Sequence, residues 1–294
     1  MREVARERGP KRVAVVVADD EIALTAAADA VKLGLAHPVL IGNEKAIAGK
    51  IAALHLDVLV SGAEIVATDT PAMVAARMAG EGAVDILLKG HLRTDELLKA
   101  VLDKSFGLRT GRLLSDMLIY EDTLSGERRL VGLTDGGLNV APTLDQKKQI
   151  VATAIEVMHC IGFERPKIAI MSASEAVSEG MPSTMDAKAL TAMGEAGEFG
   201  AADVFGPLAL DNALLEWAAK AKGISHPVAG HADCMIAPTI EAGNFLGKST
   251  KYFLGSQNAH VVVGAKVPVL IPSRVESADD KVNSIALGVL YGSR

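Results

Sequence analysis

Short apolar runs rich in β-branched residues alternate along this chain with longer segments of helical periodicity. Residues 13–18 form the first apolar run, and a helix-period segment follows at residues 21–33. The next apolar runs are residues 38–41 and 84–88, with a helix predicted from Thr70 and Pro71 between them. Because these strands are apolar throughout, the pattern predicts a sheet covered on both faces and a mostly parallel α/β fold.

The alternation changes in the second half of the chain. Two apolar runs between residues 117 and 133 flank a polar turn, which is typical of an antiparallel hairpin. A long helix is predicted at about residues 143–161 and a last helix near Ser277. The strands of a second βα series are predicted at residues 167–171, 203–205, 234–237, 260–263 and 267–271.

We therefore predict two α/β/α domains with mostly parallel sheets. Residues 1–141 together with residues 272–294 would form the first domain, because we expect the C-terminal helix to pack back on it. Residues 142–271 would form the second domain. No internal repeat and no low-complexity segment interrupts this pattern.

Composition and charge narrow the class of protein. Hydrophobic residues make up 49% of the 294 residues, which excludes a disordered chain. The formal net charge of −6 argues against a nucleic-acid binder. Two cysteines cannot form a disulfide framework, and no apolar run approaches the roughly 18 to 20 residues of a membrane span. Without a recognisable signal peptide, we expect a cytoplasmic protein with no membrane partner.

Several common motifs are missing or incomplete. No GxGxxG motif stands in the first βα turn, and no HExxH or GxSxG motif occurs. The string from Gly243 to Ser249 resembles a P-loop but has three residues between its glycines, where a P-loop has four. We therefore predict neither nucleotide hydrolysis nor a catalytic metal. Cys160 and Cys234 are expected to be core thiols, and no histidine is assigned a catalytic role.

The segment at residues 271–280 runs from the end of a strand into the start of a helix, where open α/β sheets place their ligands. Arg274 would supply a permanent charge and Ser273 a hydroxyl, and both groups suit a phosphate. The same segment also fits a helix cap, because Ser277 and Asp280 have capping-box spacing. Both interpretations stay open at this point.

Other candidates are also ambiguous. The loop from Asp135 to Asn139 is either a substrate-facing loop or a glycine-rich turn. Arg93 either binds an anion or solvates its helix start, where Thr94 is expected to cap the helix. Asp211 is predicted to cap a helix after the strand near residue 205.

Several strings taken together resemble the phosphate acetyl/butyryltransferase family, and most closely its butyryl branch. They keep the family order and cover about the last 160 residues, whereas the first 130 match in pattern more than in residues. The matching strings are Thr134 to Gln146 (TDGGLNVAPTLDQ), Met181 to Thr184 (MPST), Gly206 to Ala213 (GPLALDNA), Glu241 to Asn244 (EAGN) and Ser273-Arg274.

The resemblance implies a fold like that of the isocitrate/isopropylmalate dehydrogenases, with an active cleft between the domains and a homodimer or higher homo-oligomer. It implies reversible transfer of a short acyl group, acetyl to butyryl, between coenzyme A and inorganic phosphate. Coenzyme A is then a substrate, and no permanently bound cofactor is expected. The catalytic residues implied are Ser273, Arg274 and Asp280, the aspartate six residues beyond the arginine. The substrate-binding residues we predict are Arg93, Thr94, Asp135, Asn139, Asp211 and Asn244.

Two other functions remain as alternatives. An oxidoreductase of the same fold would use a nicotinamide cofactor and a divalent metal, whose ligand clusters are missing from the sequence. A non-catalytic protein that senses acyl-CoA or acyl phosphate would bind these ligands without turnover. The string from Lys89 to Thr94 departs from the family pattern, so a role for His91 or Arg93 does not follow from the resemblance.

Overall fold

A computed structural model of the chain describes residues 1–124, 126, 128–273 and 276–293. Contacts between Cα atoms divide the chain into two compact units. The first unit consists of Met1–Leu114 and Ala259–Arg294, and the second unit is Ser115–Asn258.

The helices include all those predicted from the sequence, together with several that were not predicted. In chain order they are α1 (Arg2–Glu7), α2 (Glu21–Lys32), α3 (Glu44–Ala53), α4 (Val58–Gly62), α5 (Pro71–Gly80), α6 (Thr94–Leu102), α7 (Leu144–Cys160), α8 (Pro182–Glu195), α9 (Leu210–Leu214), α10 (Glu216–Ala221), α11 (Ile240–Tyr252) and α12 (Ala278–Gly292).

The strands likewise fall on the apolar runs. In chain order they are β1 (Lys11–Val16), β2 (Ala36–Gly42), β3 (Glu64–Ala67), β4 (Ile86–Lys89), β5 (Ser115–Asp122), β6 (Arg129–Thr134), β7 (Lys167–Met171), β8 (Asp203–Leu208), β9 (Cys234–Ile236), β10 (Asn258–Val263) and β11 (Val269–Leu270).

The first unit contains a mostly parallel sheet with strand order β3-β2-β1-β4-β11-β10. Val13 of β1 is in register with Pro38 of β2 and with Ile86 of β4, and all these pairings are parallel. β11 continues the parallel pairing through Val269 and Leu87, whereas β10 is antiparallel to β11. The last two strands therefore form an antiparallel pair rather than further members of a parallel βα series.

Among the described helices of the first unit, α12 is the most deeply buried. Every residue from Asp280 to Tyr291 is buried, including polar side chains in its first turns. It packs against α1 and α2 and against strands β4 and β11. This burial holds the first turns of α12, with Asp280, in the core of the first unit.

The second unit orders its strands as β5-β6-β9-β7-β8. The hairpin β5–β6 is antiparallel, and β6, β9, β7 and β8 pair in parallel. Its apolar core lies between these strands and the surrounding helices, with Leu133, Met235 and Leu208 among the buried side chains. The mixed α/β fold with mostly parallel pairing that the sequence predicts is confirmed.

The compact units have other borders than the predicted domains, at residues 114/115 and 258/259 instead of 141/142 and 271/272. The hairpin belongs to the second unit because Gly132 of β6 is in register with Cys234 of β9. Strand β11 belongs to the first unit because it pairs with β4. Pairing partners distant in sequence decide both borders, and the local pattern does not contain them.

Candidate active site

The loop that follows β6 is organised by one buried carboxylate. Asp135 is 3% exposed, and its Oδ1 accepts hydrogen bonds from the backbone N–H groups of Gly137 and Leu138, each at 2.8 Å. Its Oδ2 accepts from Asn139 Nδ2 at 2.6 Å and from the backbone N–H of Asp116 at 3.1 Å. Asp135 therefore fixes the backbone of the loop and orients the Asn139 amide.

A second carboxylate lies beside this loop. Asp116 is 6% exposed on β5, and a Cβ added at Gly137 would lie 2.4 Å from its Oδ2. Burial is the largest cause that raises the pKa of Asp135, and the negative charge of Asp116 raises it further. The hydrogen bonds from Gly137, Leu138 and Asn139 act in the opposite direction without cancelling the rise. Asp116 is not among the residues predicted for the site, because no local pattern of the sequence indicates that it lies next to Asp135 across the β5–β6 hairpin.

Helix α11 meets the same loop backbone to backbone. A Cβ added at Gly243 would lie 2.4 Å from the Asp135 carbonyl oxygen, and one at Gly136 would lie 2.8 Å from the Gly243 carbonyl carbon. Only glycine permits this approach. Asn244 Nδ2 donates to the Gly136 carbonyl at 3.0 Å. The structure thus brings Asp135, Asn139 and Asn244 together in the second unit.

The position of residues 243–249 in helix α11 argues against a P-loop. Gly243 to Ser249 lie inside α11, whose hydrogen-bonded backbone cannot turn its N–H groups toward a phosphate as an open loop does. This agrees with the spacing argument against nucleotide hydrolysis.

Two of the predicted catalytic residues, Ser273 and Arg274, precede α12, and the third, Asp280, lies in its first turn. Arg274 lies outside the described residues, as does Val275. The Ser273 carbonyl accepts a hydrogen bond from the backbone N–H of Glu276 at 3.2 Å, and Ser273 is half-buried. Ser273 stands four residues before Ser277, the N-cap residue of α12.

The capping interpretation of Ser277 and Asp280 is confirmed. Ser277 Oγ accepts from the Asp280 N–H at 3.2 Å, while Asp280 Oδ2 accepts from the Ser277 N–H at 3.1 Å and from Ser277 Oγ at 2.7 Å. Asp280 is only 1% exposed. Its Oδ2 is thereby committed to the cap, whatever further role the other oxygen has.

Arg93 lies on the surface of the first unit. Its guanidinium is 75% exposed, with Nε 2.9 Å from Asp95 Oδ1, and the hydrogen bond from Arg93 is the largest cause that lowers the pKa of Asp95. A cavity of about 570 Å³ lies between α5 and α6 and is lined by Arg93, Lys99 and Thr70, among others. The cap predicted at Thr94 is wrong, because α6 begins at Thr94 itself and Arg93 is the N-cap residue.

Asp211 belongs to a different cluster of the second unit. The backbone N–H of Asn212 donates to its Oδ1 at 2.9 Å and is the main cause that lowers the pKa of Asp211. Lys222 Nζ lies 3.4 Å from Asp211 and 3.2 Å from Glu175. The predicted cap is also wrong here, because α9 begins at Leu210 and its N-cap residue is Ala209.

The remaining side chains with reactive chemistry do not form a further centre among the described residues. Cys160 and Cys234 form no disulfide bond, and burial raises the pKa of Cys234 far above its ordinary value. Cys234 is buried, as predicted for a core thiol, whereas Cys160 is only partly buried. No cluster of three or more His, Cys, Asp or Glu side chains suited to a metal ion occurs in the part of the chain described. No described helix is long and apolar enough to cross a membrane.

Comparison with known proteins gives a consistent result. Residues 61–289 match the model of the family described as phosphate acetyl/butaryl transferase. The phosphate butyryltransferase of Clostridium acetobutylicum is 40% identical over 283 residues, covering 95% of this chain and 93% of the relative. The phosphate acetyltransferase of Rhizobium meliloti is 37% identical, covering 99% and 92%.

Solved structures give the same answer. The crystal structure of a branched-chain phosphotransacylase from Enterococcus faecalis is similar with a TM-score of 0.83 at 30% identity. The similarity covers 96% of this chain and 99% of that chain.

Proposed function

This chain belongs to the phosphate acetyl/butyryltransferase family, and on that premise we propose that Ser273, Arg274 and Asp280 carry out its acyl transfer. The protein is a phosphate acyltransferase that moves an acyl group between coenzyme A and inorganic phosphate. The single observation that carries this conclusion is identity of 37% to 40% with named transferases over nearly the whole chain.

In the direction of thioester formation, Asp280 takes the proton of the coenzyme A thiol, and the sulfur attacks the carbonyl carbon of the acyl phosphate. The carbon–oxygen bond to phosphate then breaks, and phosphate departs with its charge. Arg274 binds the phosphate oxygens and neutralises that charge, and Ser273 donates a hydrogen bond to the developing oxyanion or to the sulfur. No covalent intermediate with the enzyme forms.

Proton removal is the difficult step. An ordinary aspartate has a pKa of about 3.9 and an ordinary thiol a pKa of about 8.5. Proton transfer from the thiol to the aspartate is therefore unfavourable by roughly 6 kcal/mol. Asp280 also has one oxygen engaged by Ser277 at the start of α12. We therefore propose that Arg274 and the helix N-terminus lower the pKa of the bound thiol, and that Asp280, besides accepting the proton, is partly an orienting group.

Substrate binding is proposed for residues of both units. In the second unit, Asp135, Asn139 and Asn244 lie at one loop. Asp135 orients the Asn139 amide, and Asn244 binds the loop backbone, which supports this assignment. In the first unit, Arg93 and Thr94 stand at the start of α6, and Arg93 lines the cavity described above. The proposed role of Asp211 has weaker support, since its carboxylate is engaged by Lys222.

Several finer expectations stay predictions. They are the dehydrogenase-like two-domain arrangement with its active cleft, the homodimeric or higher oligomeric state, the cytoplasmic location and the lack of a permanently bound cofactor. The preferred acyl group, from acetyl to butyryl, is likewise a proposal, since relatives named for both acyl groups match this chain similarly.

The test offers coenzyme A with acetyl, propionyl and butyryl phosphate and follows thioester absorbance. We expect turnover with at least one of them and its reversal when acyl-CoA and phosphate are supplied. Binding of acyl phosphate without turnover would support the alternative of a non-catalytic sensor and overturn the proposal. The oxidoreductase alternative is not favoured by the comparisons.

A further inference from the structure

Helix α11 packs on the second unit through a side that consists mostly of small residues. A Cβ added at Gly243 would lie 2.4 Å from the Asp135 carbonyl oxygen, and one added at Gly247 would lie 3.1 Å from Leu118 Cδ2. Thr250 is buried as well. These three positions are four and three residues apart, so they share one side of the helix.

The opposite side of α11 carries two exposed aromatic side chains. Phe245 is 70% exposed and Tyr252 is 61% exposed. Glu241 and Lys248 are also exposed, and the four positions follow one another at intervals of four, three and four residues. They therefore lie on a single face, called here the outer face of α11. A surface helix with no partner would carry polar side chains at all of these positions.

Two further exposed apolar side chains flank the outer face at its ends. Phe253, the C-cap residue of α11, is 90% exposed, and Val140 is exposed at the other end. The Val140 carbonyl accepts a hydrogen bond from the backbone N–H of Ile240 at 2.9 Å, which places it beside the first turn of the helix. Aromatic residues make up only 3% of the chain, so three exposed aromatic side chains at one helix mark a contact surface.

The charges of the outer face favour a second copy of this chain as its occupant. Glu241 lies in the first turn of α11, and Lys248 follows seven residues, or about two turns, later. A two-fold axis at right angles to a helix places the two copies antiparallel, so that Glu241 of each copy lies toward Lys248 of the other. A parallel arrangement would bring like charges together. The outer face is therefore complementary to itself.

The same arrangement gives the outer face the anatomy of an interface. Phe245 stands between Glu241 and Lys248 in sequence and on the face, so antiparallel pairing brings the two Phe245 side chains to the centre. The charged side chains then lie around them. Central aromatic anchors with a polar rim are typical of stable protein interfaces.

Other occupants fit the outer face less well. A helix that lies on a membrane surface carries several basic residues on its polar side, which anionic lipids attract. The outer face has one acidic and one basic residue, and the chain has a formal net charge of −6. A nucleic acid likewise requires a basic surface. A different protein is the remaining alternative, and only association of this chain with itself changes the mass of the purified protein.

We propose that the outer face of α11 pairs antiparallel with the same face of a second copy of this chain and so forms a two-fold dimer. Burial of Phe245 and Tyr252 against the partner removes apolar surface from water, which drives the association. The inference locates the interface of the expected oligomer and does not depend on assigning any residue to acyl transfer. Helix α11 would then contact the partner on one side and the loop of Asp135 on the other.

The test measures the mass and the dimer Kd of the purified chain by sedimentation at nanomolar to micromolar concentrations. We expect the wild type at micromolar concentration to have twice the chain mass of 30.6 kDa. Phe245→Ser should raise the dimer Kd about a hundredfold, because it removes the central aromatic side chain from both copies. Val60→Ser is the matched control, since Val60 is an equally exposed apolar residue on α4 of the first unit, and it should leave Kd unchanged.

Two results of this measurement would overturn the proposal. A wild type that is monomeric at micromolar concentration would leave the outer face to a different protein. An oligomer whose Kd is the same in Phe245→Ser and in Val60→Ser would place the interface elsewhere on the molecule. In an assembly larger than a dimer, Phe245→Ser should reduce the mass, and an unchanged mass would count equally against the proposal.

Charge reversal tests the antiparallel arrangement and keeps the test decisive if Phe245→Ser folds poorly. Glu241→Lys and Lys248→Glu each place like charges across the interface and should each weaken the dimer about tenfold. The double variant restores opposite charges, so its Kd should return to within about threefold of the wild type. A double variant that is no tighter than either single variant would contradict the antiparallel pairing. Circular dichroism checks that each variant is folded.

Discussion

Asp135 and Asp280 are buried carboxylates that hold backbone turns by accepting hydrogen bonds. Asp135 accepts from two backbone N–H groups of its own loop, and Asp280 accepts from the N–H and the hydroxyl of Ser277. Capping spacing could be recognised in the sequence at Asp280, because both partners lie within one turn. The proximity of Asp116 to Asp135 and the proximity of His260 to Glu276 could not be recognised in the sequence, because strand pairing and long-range packing create them.

Replacing Asp280 with asparagine tests whether this carboxylate does more than cap α12. The proposed catalytic role of Asp280 predicts that Asp280→Asn slows turnover. Because the side chain is buried and accepts two hydrogen bonds, we expect it also to reduce the free energy of unfolding by about 1 to 2 kcal/mol. Turnover should fall about tenfold or more in both directions.

Ser277→Ala is the matched control for this change. It removes the other half of the capping box and should cost about 1 kcal/mol in urea unfolding. Its turnover should stay well above that of Asp280→Asn. Equal turnover in the two variants would mean that Asp280 acts through the cap alone.

The raised pKa of Asp135 predicts a pH dependence of stability. A carboxyl whose pKa is higher in the folded protein binds its proton more tightly when folded, so its contribution is greatest at low pH. That contribution is lost as the pH rises from the ordinary carboxyl range, near pH 4, through the raised pKa. Asp116→Asn removes one cause of the rise and should make the loss smaller. Urea unfolding of both proteins between about pH 4 and 7 measures the difference, and parallel curves would contradict the prediction.

At the scale of elements, the contact between the loop after β6 and helix α11 determines the geometry of the second unit's candidate site. Most helices and strands could be predicted, because their apolar runs and caps are local. For example, Thr143 and Gln146 form the capping box at the start of α7, where the long helix was predicted. The loop–helix contact could not be predicted, since it requires glycines 107 residues apart to meet, Gly136 and Gly243.

Gly243→Ala should displace this loop. The new methyl group would lie 2.4 Å from the Asp135 carbonyl, a backbone atom that cannot move alone. We expect a destabilisation of about 1 to 3 kcal/mol and a raised KM for at least one substrate. Thermal unfolding and initial rates measure both effects.

Gly49→Ala in α3 is the matched control, because nothing lies within 4 Å of its added Cβ. Helix propensity should make this variant more stable by roughly 0.5 to 1 kcal/mol, with unchanged rates. A Gly243→Ala variant that behaves like Gly49→Ala would show that the close approach has no consequence.

At the scale of the whole molecule, the family match spans residues 61–289 and therefore contains residues of both compact units. The borders of the compact units could not be read from the two βα series of the sequence, since they depend on which strands pair. The border at residues 258/259 falls at the start of β10, which joins the first unit because it pairs with β11 and β11 pairs with β4, so no local composition marks the change of unit.

Ligand binding offers a prediction at this scale. Coenzyme A at about 100 times its Kd should stabilise the folded chain by about 2.7 kcal/mol, seen as a higher Tm. NAD at the same concentration should leave Tm unchanged, because only the oxidoreductase alternative requires this cofactor. A rise of Tm with NAD and none with coenzyme A would reverse the choice between these functions.

The central claim is that Ser273 and Arg274 bind the phosphate during acyl exchange. The most direct measurement is the initial rate of acyl phosphate formation from acyl-CoA at varied phosphate, for the wild type and for Arg274→Gln. Loss of a permanent charge from a phosphate site should lower kcat/KM for phosphate by about a hundredfold, with KM for acyl-CoA changed much less. An Arg274→Gln enzyme with the phosphate kinetics of the wild type would contradict the claim.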